Sequence, residues 1–368
     1  MSEEILVSTR KGLFTLARES KGWAVRGVDF LADNVTLAVR DGRDGTSYAA
    51  LNHGHFGVKL HRKLAGGGWE EVAAPAYPEK PEGLVDLDGW GKPVNWSTQL
   101  IWALEPGGPE ESGQLWCGTL PGGLFLSRDR GSSWELNRPL WDNPGRNKWM
   151  GGGADLPGIH SICVDPRSSK TLRVGVSCGG VWVTHDGGAT WACKAEGMHY
   201  DHMPEGQADD PGTQDPHMLV QCQAAPDRLW VQHHCGIFVS RDGSESWQEI
   251  KNVPPSSFGF GVAVHPRDPD TAWFVPGIKD EKRIPVDGKL VVTRTRDGGK
   301  SFDVLRRGLP QEHSYDLVFR HALAVDESGD RLAFGSTTGG VWVSEDQGDS
   351  WQNVSHTLPP VHAVRFAG

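Results

Sequence analysis

Four short apolar segments of this chain each open on a histidine: His160 in HSICVDP, His217 in HMLVQC, His321 in HALAVDE and His362 in HAVRF. Imidazole is a borderline ligand suited to Fe(II), Zn, Cu or Ni, and a site with open coordination positions is a catalytic one. The sequence therefore predicts a transition-metal centre of His160, His217, His321 and His362, provided that the four segments occupy equivalent places in one repeated architecture. Asp215 stands two residues before His217 and Asp316 five before His321, placed to orient ligand imidazoles or to move protons. Glu205 and Tyr315, in the same stretches, complete the candidate catalytic set. His199, His202 and Arg320 supply polar candidates for ligand binding, with the HYDH run from His199 to His202 a second candidate metal pair. Trp96 and Trp149 are candidates for an apolar or sugar-stacking platform.

The elements that must position these residues are legible as repeats. An eight-residue pattern, Ser/Thr-x-Asp-x-Gly-x-Ser/Thr-Trp/Phe, occurs as SRDRGSSW from Ser127, THDGGATW from Thr184, TRDGGKSF from Thr295 and SEDQGDSW from Ser344. SRDGSESW from Ser240 differs only in Ser244, which replaces the glycine. Gly22-Trp23 and Gly68-Trp69 keep the closing pair, so the closing aromatics are Trp23, Trp69, Trp134, Trp191, Trp247, Phe302 and Trp351. An alternating strand precedes each one, as in GGLFLS, GGVWVT and CGIFVS, and most units carry a further apolar strand upstream. Four short strands in each of seven units of roughly 50 residues predict an all-β, seven-bladed propeller. The segment Val361–Phe366 matches the start of a unit whose remainder is at the N-terminus. Residues 361–366 are expected to complete the first blade of a single domain spanning 1–368, which leaves no open sheet edge.

These motifs resemble the Asp-box, or BNR, repeats of the sialidase-like propeller superfamily. The resemblance implies the fold and little about activity, because similar repeats occur in sialidases, xyloglucan-cleaving glycosidases, sortilin-type receptors and a photosystem assembly factor. Sialidases of that superfamily use three arginines to clamp a carboxylate, a tyrosine nucleophile with a glutamate partner, and a Phe/Tyr-Arg-Ile-Pro motif near the start. This chain has STRKG there, with Arg10 but no such motif, and seven units rather than six; sialidase activity is not expected.

In a propeller the first strand of each blade lines the central axis, so the four histidines would converge there. Phe260 takes the equivalent place in the sixth unit, and residues near Val35 and Leu100 do so in the second and third. The connections leading to these strands, Pro75 to Thr98, Pro139 to Ile159, Lys194 to Pro216 and Arg307 to Arg320, are far longer than a propeller needs, and function concentrates in such loops. The turns between second and third strands should reach the same end, bringing His233 and His234 among others.

Composition narrows the classes. The chain has 368 residues, a net charge of −10 and no block of like charge, which argues against a nucleic-acid partner. A hydrophobic content of 37 % supports a core, and no window is apolar enough for a membrane span. Six cysteines without a CxxC pair read as reduced thiols, and the N-terminus MSEEILVSTRKG lacks a secretory pattern, so a cytoplasmic monomer is expected. The expected function is metal-dependent oxidation, hydrolysis or elimination on a small molecule, without a nucleotide cofactor. The alternative is a glycoside hydrolase-like or carbohydrate-binding propeller that uses loop carboxylates and tryptophans. A non-enzymatic binding or assembly propeller is the third class.

Overall fold

The repeated Asp turn is a self-contained hydrogen-bond circuit, and it sets the outer rim of the molecule. In a computed structural model describing residues 2–152, 154–204 and 206–367, the Thr184 hydroxyl donates to Asp186 at 2.7 Å and accepts the Gly188 N–H at 3.0 Å. The same carboxylate accepts the Thr190 N–H at 2.9 Å and the Thr190 hydroxyl at 2.6 Å. The circuit recurs around Asp129, Asp242, Asp297 and Asp346. Its fifth residue needs a left-handed backbone. Gly188 has φ +90° with the Asn137 side chain close against it, and Ser244 is held at φ +82° in the one turn that lacks the glycine. The closing indoles then reach back to the preceding sheet: Trp134 Nε1 donates to Ala73 O, Trp191 Nε1 to Asn137 Oδ1 and Trp247 Nε1 to Lys194 O, at 2.8 to 2.9 Å.

The described residues build seven four-stranded sheets, antiparallel throughout, in the expected seven-bladed β-propeller. In the first blade the C-terminal strand Val361–Phe366 is the inner strand, paired with Glu4–Thr9 so that Val364 faces Val7. Val361, Ala363 and Val364 are buried, so the pairing that closes the ring is also part of the core. Between blades the core is built from tryptophans on second and third strands. Trp116, Trp182, Trp230, Trp273 and Trp342 are all buried, each removing about 150–250 Å² from water. No helix among the described residues is long and apolar enough to cross a membrane.

The inner strands share an irregularity that decides what faces the axis. Pairing register slips between Val35 and Leu37, Ile101 and Ala103, Ile159 and Ser161, and Pro216 and Met218, and again between Gly259 and Val262. In the first blade the slip lies opposite Val361 and Ala363. A bulge of this kind adds a residue to one strand and re-aims its side chain. The residues so presented are Thr36, Trp102, His160, His217, Phe260 and His362, with His321 at the matching place in the seventh blade, where it bridges Ala363. The column predicted for the histidines and Phe260 is therefore present. Its members in the second and third blades are Thr36 and Trp102, near Val35 and Leu100 as expected and placed by the bulges at those strands.

Candidate functional site

A cavity of about 630 Å³ lies on the axis, at the end where the chain arrives at the inner strands. Six of the seven column residues line it: Thr36, Trp102, His217, Phe260, His321 and His362. Loops add Tyr200, His202, Asp280, Arg283 and Arg320, while His234 comes from the turn between the second and third strands of the fifth blade. A second cavity of about 680 Å³ opens at the opposite end, where Glu105 and Arg365 pair at 2.6 Å and His160 forms part of the wall.

At one side of the axial cavity an acid meets two imidazoles. Asp215 Oδ1 accepts the Cys178 N–H at 3.0 Å and the Ser177 hydroxyl at 3.3 Å, and the Asp215 N–H donates to His233 Nε2 at 3.0 Å. Its Oδ2 faces His217 Nε2 at 3.6 Å and His234 Nδ1 at 3.4 Å. His217 is anchored through Nδ1, 2.7 Å from Gly259 O, and its ring lies parallel to Phe260 with centroids 4.5 Å apart. Burial favours the uncharged form of His217 and pulls its pKa below the ordinary histidine range. Burial also opposes charge on Asp215, but the facing imidazoles and the nearby Arg320 guanidinium outweigh it and hold the carboxyl well below its usual range. The carboxylate and the imidazole thus lie side by side, both buried.

The wall of the cavity also carries a guanidinium, that of Arg320. Arg320 Cζ lies 4.7 Å from the ring centre of Trp102 and 5.6 Å from that of Phe260. Its Nε is buried without a hydrogen-bond partner, and among the described residues no carboxylate comes within ion-pairing distance. Burial lowers its pKa from 12.5 to about 10, a shift that the Asp215 carboxylate opposes. Arg283, 5.3 Å from the Phe260 ring centre, is by contrast tied to Asp280 at 2.5 Å. Buried charges are ordinarily paired, whereas this guanidinium is held against two aromatic faces.

The four histidines predicted as a metal centre do not meet at one point. Both ring nitrogens of His160 are engaged, Nδ1 with the Ser161 hydroxyl at 2.8 Å and Nε2 with Pro216 O at 2.7 Å. His321 Nε2 is 2.7 Å from His160 O, and His362 Nε2 is 3.0 Å from Asn34 Oδ1. Among the described residues, the group of three whose candidate ligand atoms lie within 4.8 Å of one another is Asp215, His217 and His234.

Of the other predicted site residues, His202 and Arg320 reach the cavity. Asp316 does not: the hydroxyls of Ser314, Ser336 and Thr338 all donate to it, making it a turn acid. Tyr315 is exposed and is not among the residues lining the cavity. His199 is a surface residue between Asp201 and Asp209, whose hydrogen bonds raise its pKa, Asp209 most of all. Trp149 is a correction to the expected platform, because it is buried in the core against Trp182. Trp96 anchors its own loop, donating to Asp86 at 2.7 Å and packing on Trp141. Glu205 lies outside the described residues. Trp102, His234 and Arg283 were not singled out as site residues; the turn carrying His234 was expected at this end, whereas nothing local marks Trp102.

No family model matches the chain. It is 26 % identical over 279 residues to an oligoxyloglucan-reducing end-specific xyloglucanase of Emericella nidulans, covering 70 % of this chain and 33 % of that protein. The chain thus spans about a third of the length of the curated relative it matches. Among solved structures, an ancestral GH74 enzyme superposes with a TM-score of 0.58 at 16 % identity, over 88 % of this chain and 39 % of that one. A periplasmic gluconolactonase of Pseudomonas aeruginosa superposes with a TM-score of 0.56 at 12 % identity, over 99 % and 98 % of the two chains. These likenesses establish the fold.

Proposed function

We propose that this chain is a carbohydrate-acting propeller with Asp-box turns, and that its axial cavity takes a short saccharide or sugar derivative bearing a carboxylate. The observation that carries the reading is the unpaired Arg320 guanidinium set against Trp102 and Phe260, in the cavity that Asp215 and His217 also line. Sugars present apolar C–H faces to aromatic rings and hydroxyls to polar groups, and a cavity of about 630 Å³ accommodates a ligand of one or two rings. The xyloglucanase name of the curated relative supports the carbohydrate class. The guanidinium points to an acidic member of it, since a planar carboxylate matches the guanidinium fork. Asp215 and His217 line the same cavity, so a bound sugar would turn its oxygens toward them.

Isothermal titration of matched pairs tests this directly: glucuronate against glucose, and galacturonate against galactose. The acid of at least one pair is expected to bind ten-fold or more tightly than its neutral partner. Equal affinity for acids and neutral sugars, or no binding of either, would overturn the reading.

A further inference from the structure

We infer that Asp215, His217 and His234 together hold one divalent transition-metal ion in the axial cavity. The inference does not rest on the sugar reading, because metal is measured without any organic ligand. A backbone carbonyl only accepts hydrogen bonds, so the 2.7 Å contact with Gly259 O places the His217 proton on Nδ1. Nε2 is then the ring atom left to face Asp215 Oδ2, 3.6 Å away. His234 Nδ1 approaches the same oxygen at 3.4 Å. Three candidate donor atoms lie within 4.8 Å of one another, two of them on buried residues, so a single cation between them would meet all three.

The separations suit an ion. Two donor atoms about 2.1 Å from a tetrahedral centre stand about 3.4 Å apart, close to the two distances found here. The surroundings are those of a built site. Asp215 Oδ1 is fixed by the Cys178 N–H and the Ser177 hydroxyl, which leaves Oδ2 for the ion, and the carbonyl of Gly259 sets the orientation of His217. Two imidazoles and one carboxylate are a donor set for Zn or Fe(II), and they leave coordination positions facing the cavity. An ion there would polarise an oxygen of whatever the cavity holds. This assignment replaces a ring of four histidines with one histidine of that ring, a neighbouring acid and a histidine from a different strand turn.

The test is metal content by mass spectrometry of untagged protein, after exposure of metal-free protein to Zn or Fe(II) and gel filtration. Four variants are compared: Asp215→Asn, His234→Ala, His321→Ala and His362→Ala, each checked by circular dichroism for an intact fold. Wild type is expected to retain about one ion per chain, as are His321→Ala and His362→Ala. His234→Ala, whose side chain is at the cavity wall, should retain less than a tenth of that. Asp215→Asn, if folded, should do the same. Co(II) loading should give visible absorption bands in wild type that His234→Ala lacks. No retained ion in folded wild type would overturn the assignment. So would loss of the ion from His321→Ala or His362→Ala with retention in His234→Ala.

Discussion

Replacing Arg320 by methionine should make the protein more stable while removing its preference for acidic ligands. A guanidinium whose pKa falls from 12.5 to about 10 is charged at neutral pH at a cost of about 3 kcal/mol, taking about 1.4 kcal/mol per pKa unit. The two aromatic faces return part of that, about 1–2 kcal/mol for contacts at 4.7 Å and 5.6 Å. Methionine keeps apolar bulk against Trp102 and Phe260 and removes the unpaired Nε. The net expectation is a gain of about 1–2 kcal/mol at pH 7, since the folded-state pKa is depressed and the penalty persists at every pH below about 10. Urea denaturation of wild type and Arg320→Met, run beside a glucuronate titration, measures both effects. A loss of stability of more than about 1 kcal/mol would mean that Arg320 serves the fold, and would refute the reasoning.

Ser244→Gly should stabilise the protein by about 1 kcal/mol in urea melts, because it relieves a left-handed serine whose buried hydroxyl has no partner; an unchanged or lower midpoint would count against the turn strain. Trp149→Ala should cost about 3–5 kcal/mol by the same assay, as a core indole does, whereas a ligand platform would lose binding and little stability. Acid should loosen the rim turns. Hydrogen bonds from Thr190 and Thr184 hold Asp186 at about 2, and those from Ser301 hold Asp297 at about 2. Their contribution is complete above the unfolded-state value near 4 and is lost as pH falls from there through 2. The urea midpoint should therefore fall as pH drops below the ordinary histidine value, because His217 and His233 are buried with lowered pKa while the unfolded chain binds protons. It should fall further between about pH 4 and 2; a midpoint that holds steady to pH 2 would contradict this.

The propeller was legible because its signal is local. One hydroxyl, one carboxylate and one left-handed residue close a turn within eight positions, so the units can be counted without knowing how blades pack. The closing strand was legible for a related reason, since Val361–Phe366 carries the pattern of an inner strand and pairs with Glu4–Thr9. The site was legible only in part. His217, His202 and Arg320 were named, yet the bulge that presents each column residue to the axis also displaces it by one from the strand alternation. Trp102, the residue at that bulge in the third blade, was hidden by this shift. His234 comes from the turn between two strands rather than from the column, so spacing does not connect it to Asp215 and His217. Asp316 and Trp149 were misjudged because their partners are distant in sequence: hydroxyls of Ser336 and Thr338 for the acid, Trp182 for the indole. Residue type nominates a site residue, and only packing tells whether the fold has already used it.

The most direct test of the proposed function is a crystal structure of the protein soaked with glucuronate or galacturonate. The expected result is a sugar acid in the axial cavity with its carboxylate on the Arg320 guanidinium, its ring against Trp102 or Phe260, and an oxygen directed at Asp215 and His217. A sugar bound on the outer surface with the axial cavity empty, or one whose carboxylate points away from Arg320, would contradict it.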